Sequence, residues 1–152
     1  GQKCAGNDLG LTGSTIDGAY EAAADNWLRS PSISLASVLA GSRTYLRFQR
    51  WLSVYSESGS VGAGELAEIE ILTNNPPPVT PLWKNHAHIP HVDAATAGGA
   101  WRTFALEITS LIPGASSMQV QINLESDDSG LSPLMGGWTI DDVEVFTIRS
   151  NP

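Results

Sequence analysis

Two stretches of strict period-two alternation constrain the fold of this chain more than any other feature. Met118, Val120, Ile122 and Leu124 alternate with Gln119, Gln121 and Asn123, and Ala67, Ile69 and Ile71 alternate with Glu68 and Glu70. Successive strand side chains point to opposite faces, so each stretch specifies a strand with one apolar face and one polar face. A polar face means that one side of the sheet meets water, which antiparallel sheets allow and parallel ones rarely do. The pattern predicts strands over 32–35, 45–55, 66–73, 102–108, 117–124 and 138–148. Punctuated loops are predicted between them, at 56–64, 74–78, 86–99, 112–116 and 126–137.

Helix signals are few. Residues 20–26, with Glu21 and three successive alanines, predict two turns at most, and 26–31 reads as a turn into a strand because Pro31 disfavours helix at Ser30. Leu46 and Phe48 share one strand face while Trp51 falls on the other, which calls for a bulge or a strand buried on both sides. Many strands with turn-rich links and no alternation of strand with helix predict an all-β antiparallel sandwich. At 152 residues the chain has room for one core, so residues 1–152 are expected to form a single domain, and Pro76-Pro77-Pro78 reads as a stiff loop within it.

Charge narrows the partners. Sixteen acidic residues against eight basic ones give a net charge of -8, the wrong sign for neutralising phosphates, so nucleic acid is not an expected partner, whereas cations are. No apolar run is long enough to span a membrane as a helix, and no insertion is expected. The single cysteine, Cys4, excludes an intrachain disulfide and a cysteine-based zinc cluster. If the parent protein is exported, its signal is expected upstream of these residues.

The run Gly136-Gly137-Trp138-Thr139-Ile140-Asp141-Asp142-Val143-Glu144-Val145 carries the chemistry most out of keeping with its surroundings. Two carboxylates interrupt an apolar strand. Neighbouring strand residues alternate in direction, so both reach solvent only if the strand bulges, and a buried one needs a partner. A hard cation with oxygen ligands is such a partner for Asp141; the other outcome is that Asp141 caps backbone amides at a strand bend. Asp127, Glu65, Glu57 and Asp17 are candidate companions, since calcium takes six to eight oxygens from residues distant in sequence.

His86, His88 and His91, with Asp93, crowd one segment, and a transition metal accepts the two-residue spacing of His86 and His88. Pro90 and the Gly98-Gly99 pair mark the segment instead as an exposed polar loop. Glu68 and Glu70 read as the solvent face of a strand rather than an acid–base pair, and no Gly-x-Ser-x-Gly elbow or phosphate-binding glycine loop occurs, so no catalytic residue is assigned. Of five tryptophans, Trp27, Trp51, Trp101 and Trp138 lie in strand-like stretches and are expected in the core. Trp83, beside the histidine segment, is the one expected to be exposed; with His86 and His88 it marks a candidate ligand-binding surface suited to stacking on a sugar ring.

Five pieces in order resemble one family, the jelly-roll modules related to MAM domains and to the cleaved adhesin domains of bacterial surface proteases. Asn26-Trp27-Leu28-Arg29-Ser30-Pro31 followed by Ile33 and Leu35 is similar to its LxSP strand, Leu46-Arg47-Phe48-Gln49-Arg50-Trp51 to its LxFxxW strand, and Glu65 to Ile71 to its DxAxVxV strand. Trp101, Phe104, Leu106 and Ile108 look like its next strand, and Ser126-Asp127 and the Gly-Gly-Trp run follow. The resemblance covers about residues 3 to 148. It implies a jelly roll, a structural calcium at Asp141, and a non-catalytic accessory or adhesion module of a larger exported protein, secreted or at the cell surface, that recognises a glycan or protein. The alternative is an assembly subunit that packs against a neighbouring domain or subunit. Against the family pattern the opening strand is missing, and the vacant edge is expected to be filled by an upstream segment, by a strand of a second copy, or by 146–148 folding back.

Overall fold

A computed structural model describes residues 4–6, 25–54, 66–75, 81–84, 91–92, 101–125 and 137–149. Among these described residues ten strands form in chain order: β1 (Ala5–Gly6), β2 (Asp25–Arg29), β3 (Ile33–Ser34), β4 (Ser42–Val54), β5 (Leu66–Thr73), β6 (Pro81–Lys84), β7 (His91–Val92), β8 (Arg102–Glu107), β9 (Ser117–Glu125) and β10 (Gly137–Arg149). They make two antiparallel sheets. One runs β1-β10-β4, with β7 and β8 both pairing with β4; the other runs β2-β9-β5-β6, with β3 also on β9. With β2 and β3 taken as one interrupted strand, and β7 and β8 as another, the chain changes sheet at every connection except β5 to β6. That order is a jelly roll, and the all-β sandwich expected from the alternation is what forms.

The alternation places the core. Ala67, Ile69 and Ile71 of β5, with Met118, Val120 and Leu124 of β9, face Leu46, Phe48 and Leu52 of β4 and Trp138 and Ile140 of β10 across the sandwich. Leu35, Ile108 and Ile112 close one end, where a single 3-10 turn, Thr109–Leu111, connects β8 to β9. Thr109 Oγ1 accepts the Thr44 N–H at 2.9 Å there, so the turn is fastened to β4.

Pro31 explains the interruption between β2 and β3. Lacking an N–H, it cannot continue the ladder along β9. Ser30 fills in: its N–H donates to the Val120 carbonyl at 2.9 Å, and its Oγ accepts the Val120 N–H at 3.0 Å.

Two local expectations are corrected. Asp25 and Asn26, placed in a helix over 20–26, belong to β2, and so do Trp27 to Arg29, which the local signals mark as a turn and the family resemblance as a strand. Weak local propensity yields here to tertiary pairing, because β9 offers an unsatisfied ladder along Gln121 to Glu125. The opening is not devoid of strand either: Ala5 and Gly6 pair with Ile140 and Thr139, beside β10.

Candidate binding face

The polar side of the β2-β9-β5-β6 sheet carries the most organised surface chemistry. Strand register sets it up. Trp27, Asn123, Glu68 and Lys84 form one cross-strand row, and Arg29, Gln121 and Glu70 form the next. Each odd residue of β9 points outward because its even neighbours are in the core, so the carboxamides of Gln121 and Asn123 lie side by side on the surface.

Hydrogen bonds lock this row in one orientation. Arg29 donates to Gln121 Oε1 from Nε at 2.8 Å and also from Nη2. Gln121 Nε2 and Asn123 Nδ2 both donate to Glu70 Oε2, at 2.8 and 3.1 Å. The guanidinium of Arg29 lies 4.9 Å from the centre of the Trp27 ring, within range of a cation–π contact. Trp27 itself is 61% exposed. Glu68 holds its proton above the usual carboxylate range, chiefly because it is partly buried and then because Glu70 stands beside it; Lys84 opposes the shift and Glu125 adds to it. The result is a flat surface with a large apolar ring at one margin and fixed donors and acceptors across its middle.

The sequence-predicted site residues are distributed otherwise. Asp141 lies in β10 where the register shifts: it pairs with Gln49, and the next pair is Glu144 with Arg47, so β10 carries one extra residue. Asp142 takes the left-handed conformation at φ 51°, and Asp141 Oδ1 accepts the Asp142 N–H at 2.7 Å. The bulge resolves the steric problem posed by adjacent carboxylates, leaving Asp141 half-buried and Asp142 exposed. Among the described residues no group of three or more His, Cys, Asp or Glu side chains could hold a metal ion. Asp127, Glu65, Glu57, Asp17, His86 and His88 lie outside the described residues.

The tryptophans need correction in both directions. Trp83, expected to be exposed, is half-buried: it packs on the core, meets Trp138 edge-on at 5.7 Å, and lies 4.7 Å from the guanidinium of Arg50. Trp138 is 2% exposed, as expected for the core. Trp101 is 46% exposed and Trp27 more so. Register is the reason. Phe104, Leu106 and Ile108 turn inward from β8, which gives Trp101 the outward parity, and Trp27 is outward because Leu28 faces in. Trp51 is half-buried on the outer side of β4, while its neighbour Arg50 occupies the inner side.

Trp27, Gln121, Asn123 and Glu70 escaped sequence reasoning as a set. The alternation showed that Gln121, Asn123 and Glu70 share polar faces, but only the register of β2, β5 and β9 brings them together. No helix among the described residues is long and apolar enough to cross a membrane. Compared with known proteins, the chain matches no family model and no curated sequence.

Proposed function

We propose that this chain is a non-catalytic recognition module of a larger exported protein, similar to the MAM-like and cleaved-adhesin jelly rolls, and that it binds a surface glycan on the polar face of the β2-β9-β5-β6 sheet. The observation that carries the reading is Trp27, 61% exposed at the margin of the hydrogen-bonded row of Arg29, Gln121, Asn123 and Glu70. An indole offers an apolar plane to the C–H face of a sugar, and oriented carboxamides and carboxylates match its hydroxyls. Preorganisation matters here, because side chains already held in place lose little freedom on binding. A structural calcium at Asp141 belongs to the same reading, supported by the two adjacent carboxylates at the bulge, Asp141 half-buried and Asp142 exposed.

The test is titration of the protein with neutral oligosaccharides of several linkages, followed by calorimetry. Trp27→Ala is expected to weaken binding at least tenfold, about 1.4 kcal/mol, with little change in thermal stability because the side chain is largely in water. Binding that survives Trp27→Ala, or no binding to any glycan, removes this reading. A second reading, assembly by strand addition, then takes its place if the chain self-associates. It rests on β10, where Glu144 to Arg149 pair with β4 on one side and, among the described residues, with no strand on the other.

A further inference from the structure

Leu28 is opposite Ile122 in register and faces the interior of the sandwich, yet it is 47% exposed. An inward-facing leucine stays open to solvent only where the sandwich is not closed. β2 is the outermost strand of its sheet, all five of its residues are exposed, and among the described residues no strand pairs with its outer edge. A cleft of about 450 Å³ opens between the sheets on that side, with Leu28, Ile122, Leu124 and Ile140 in its walls. The free edge has a defined phase. Ser30, one residue past β2, donates its N–H to the Val120 carbonyl, so in the antiparallel ladder Leu28 and Asn26 also turn their backbone groups to β9. The N–H and C=O of Asp25, Trp27 and Arg29 therefore point outward from the edge, a template for another strand.

The strand's own sequence names the partner. Asp25-Asn26-Trp27-Leu28-Arg29 carries a negative charge at one end, a positive charge at the other and an indole at its centre. Turned antiparallel on itself about Trp27, it sets Asp25 opposite Arg29 of the second copy, Trp27 opposite Trp27, and Arg29 opposite Asp25. These pairs contain every outward-pointing backbone group of the strand, and each exchanges both main-chain bonds. Directly opposed side chains share a face, so the charge pairs and the indoles meet on the outer surface, while Leu28 of each copy lies beside Asn26 of the other at the mouth of the cleft. A slip by one residue would bring a core face level with an outer face, and a slip by two leaves one end of each strand unmatched. Asp25 gains most, because within its own chain it stands opposite a like charge, Glu125. Arg29 bonds Gln121 through Nε and Nη2, leaving Nη1 for the opposed carboxylate. We infer that β2 pairs with β2 of a second copy of this chain, joining two β2-β9-β5-β6 sheets into one across a two-fold axis at Trp27. The pairing does not depend on glycan binding, and it leaves the β10 edge unused.

Sedimentation velocity of the full chain, from micromolar to millimolar concentration, is expected to show a monomer–dimer equilibrium. Asp25→Arg makes both facing charge pairs positive and Arg29→Asp makes both negative, and each alone is expected to weaken the dimer at least about tenfold. Mixed in equal amounts, the two variants are expected to pair with each other about as tightly as the native chain pairs with itself, since each meets the opposite charge; that recovery also shows both to be folded. In the native chain, the amides of Asp25, Trp27 and Arg29 are expected to gain protection from hydrogen exchange as concentration rises, while those of Asn26 and Leu28, already bonded to β9, do not change. A chain that stays monomeric, its edge then left to some other strand, would overturn the assignment. So would a dimer indifferent to both substitutions, variants that do not recover on mixing, or protection that ignores the alternation along β2.

Discussion

At the scale of single residues, Arg50 is the side chain least expected where it sits. It is 2% exposed on the inner face of β4, with its guanidinium 4.0 Å from the centre of the Phe104 ring and 4.7 Å from that of Trp83. A planar, weakly hydrated cation can stack between rings in a way an ammonium cannot. Arg50→Lys keeps the charge and loses the plane, and is expected to cost more than about 1 kcal/mol, read from the midpoint of urea unfolding. An unchanged midpoint would show that the stacking contributes nothing. Glu68 makes the opposite case, a carboxylate whose surroundings disfavour its charge. Above its raised pKa it stays ionised against partial burial and the nearby Glu70, and so subtracts stability; as pH falls through that value the folded chain binds the proton more tightly than the unfolded one, and the penalty fades. Glu68→Gln is therefore expected to raise the melting temperature at pH 7, with the gain shrinking to nothing below the ordinary carboxylate range. A gain that persists at low pH would assign it to packing instead.

At the scale of elements, the bulge in β10 accounts for much of the strand's character. Before it, Trp138 and Ile140 face inward; after it, Val145 does, so the extra residue switches which parity is buried. The strand thereby accommodates two carboxylates without placing either in the core. Asp141 is tied to this arrangement through the Asp142 N–H, and Asp141→Ala is expected to lose about 1 kcal/mol for that bond. The proposed calcium gives the same variant a second readout. Added calcium is expected to raise the melting temperature of the native sequence, since a ligand bound by the folded state alone stabilises it, and Asp141→Ala is expected to abolish the increment. A melting temperature indifferent to both calcium and chelator leaves Asp141 with the bulge alone.

At the scale of the whole molecule, the two sheets were legible because the alternating faces of β5 and β9 state their own orientation, and the bounds of β5 agree with the pattern. What was not legible depends on partners distant in sequence. β2 carries no strong strand signal and forms because β9 lies open beside it, and β6 is a short edge strand whose proline at position 81 obscures it. The distribution of tryptophans failed for the same reason. Counting which residues lie in strand-like stretches does not say which parity is inward, and Trp27 and Trp101 were lost on that point while Trp138 was not. The polar face shares the problem, since Trp27 stands beside Asn123 only through a pairing that spans most of the chain. Acidic composition, by contrast, is a sum over the sequence, and it could be read without any register at all.

The strand order also fixes when this domain can become itself. β9 lies between β2 and β5 in one sheet, and β10 lies between β1 and β4 in the other, so both sheets take an interior strand from Ser117 onwards. During synthesis, a ribosome that has delivered β1 to β8 has produced two sets of strands with a vacant lane in each. β4 can pair with β7 and β8, and β5 with β6, before then; β1, β2 and β3 must wait unpaired, and the two inner faces incomplete, until the last two arrive. Non-local pairing of this kind slows folding and lengthens the interval in which exposed edges can meet other chains.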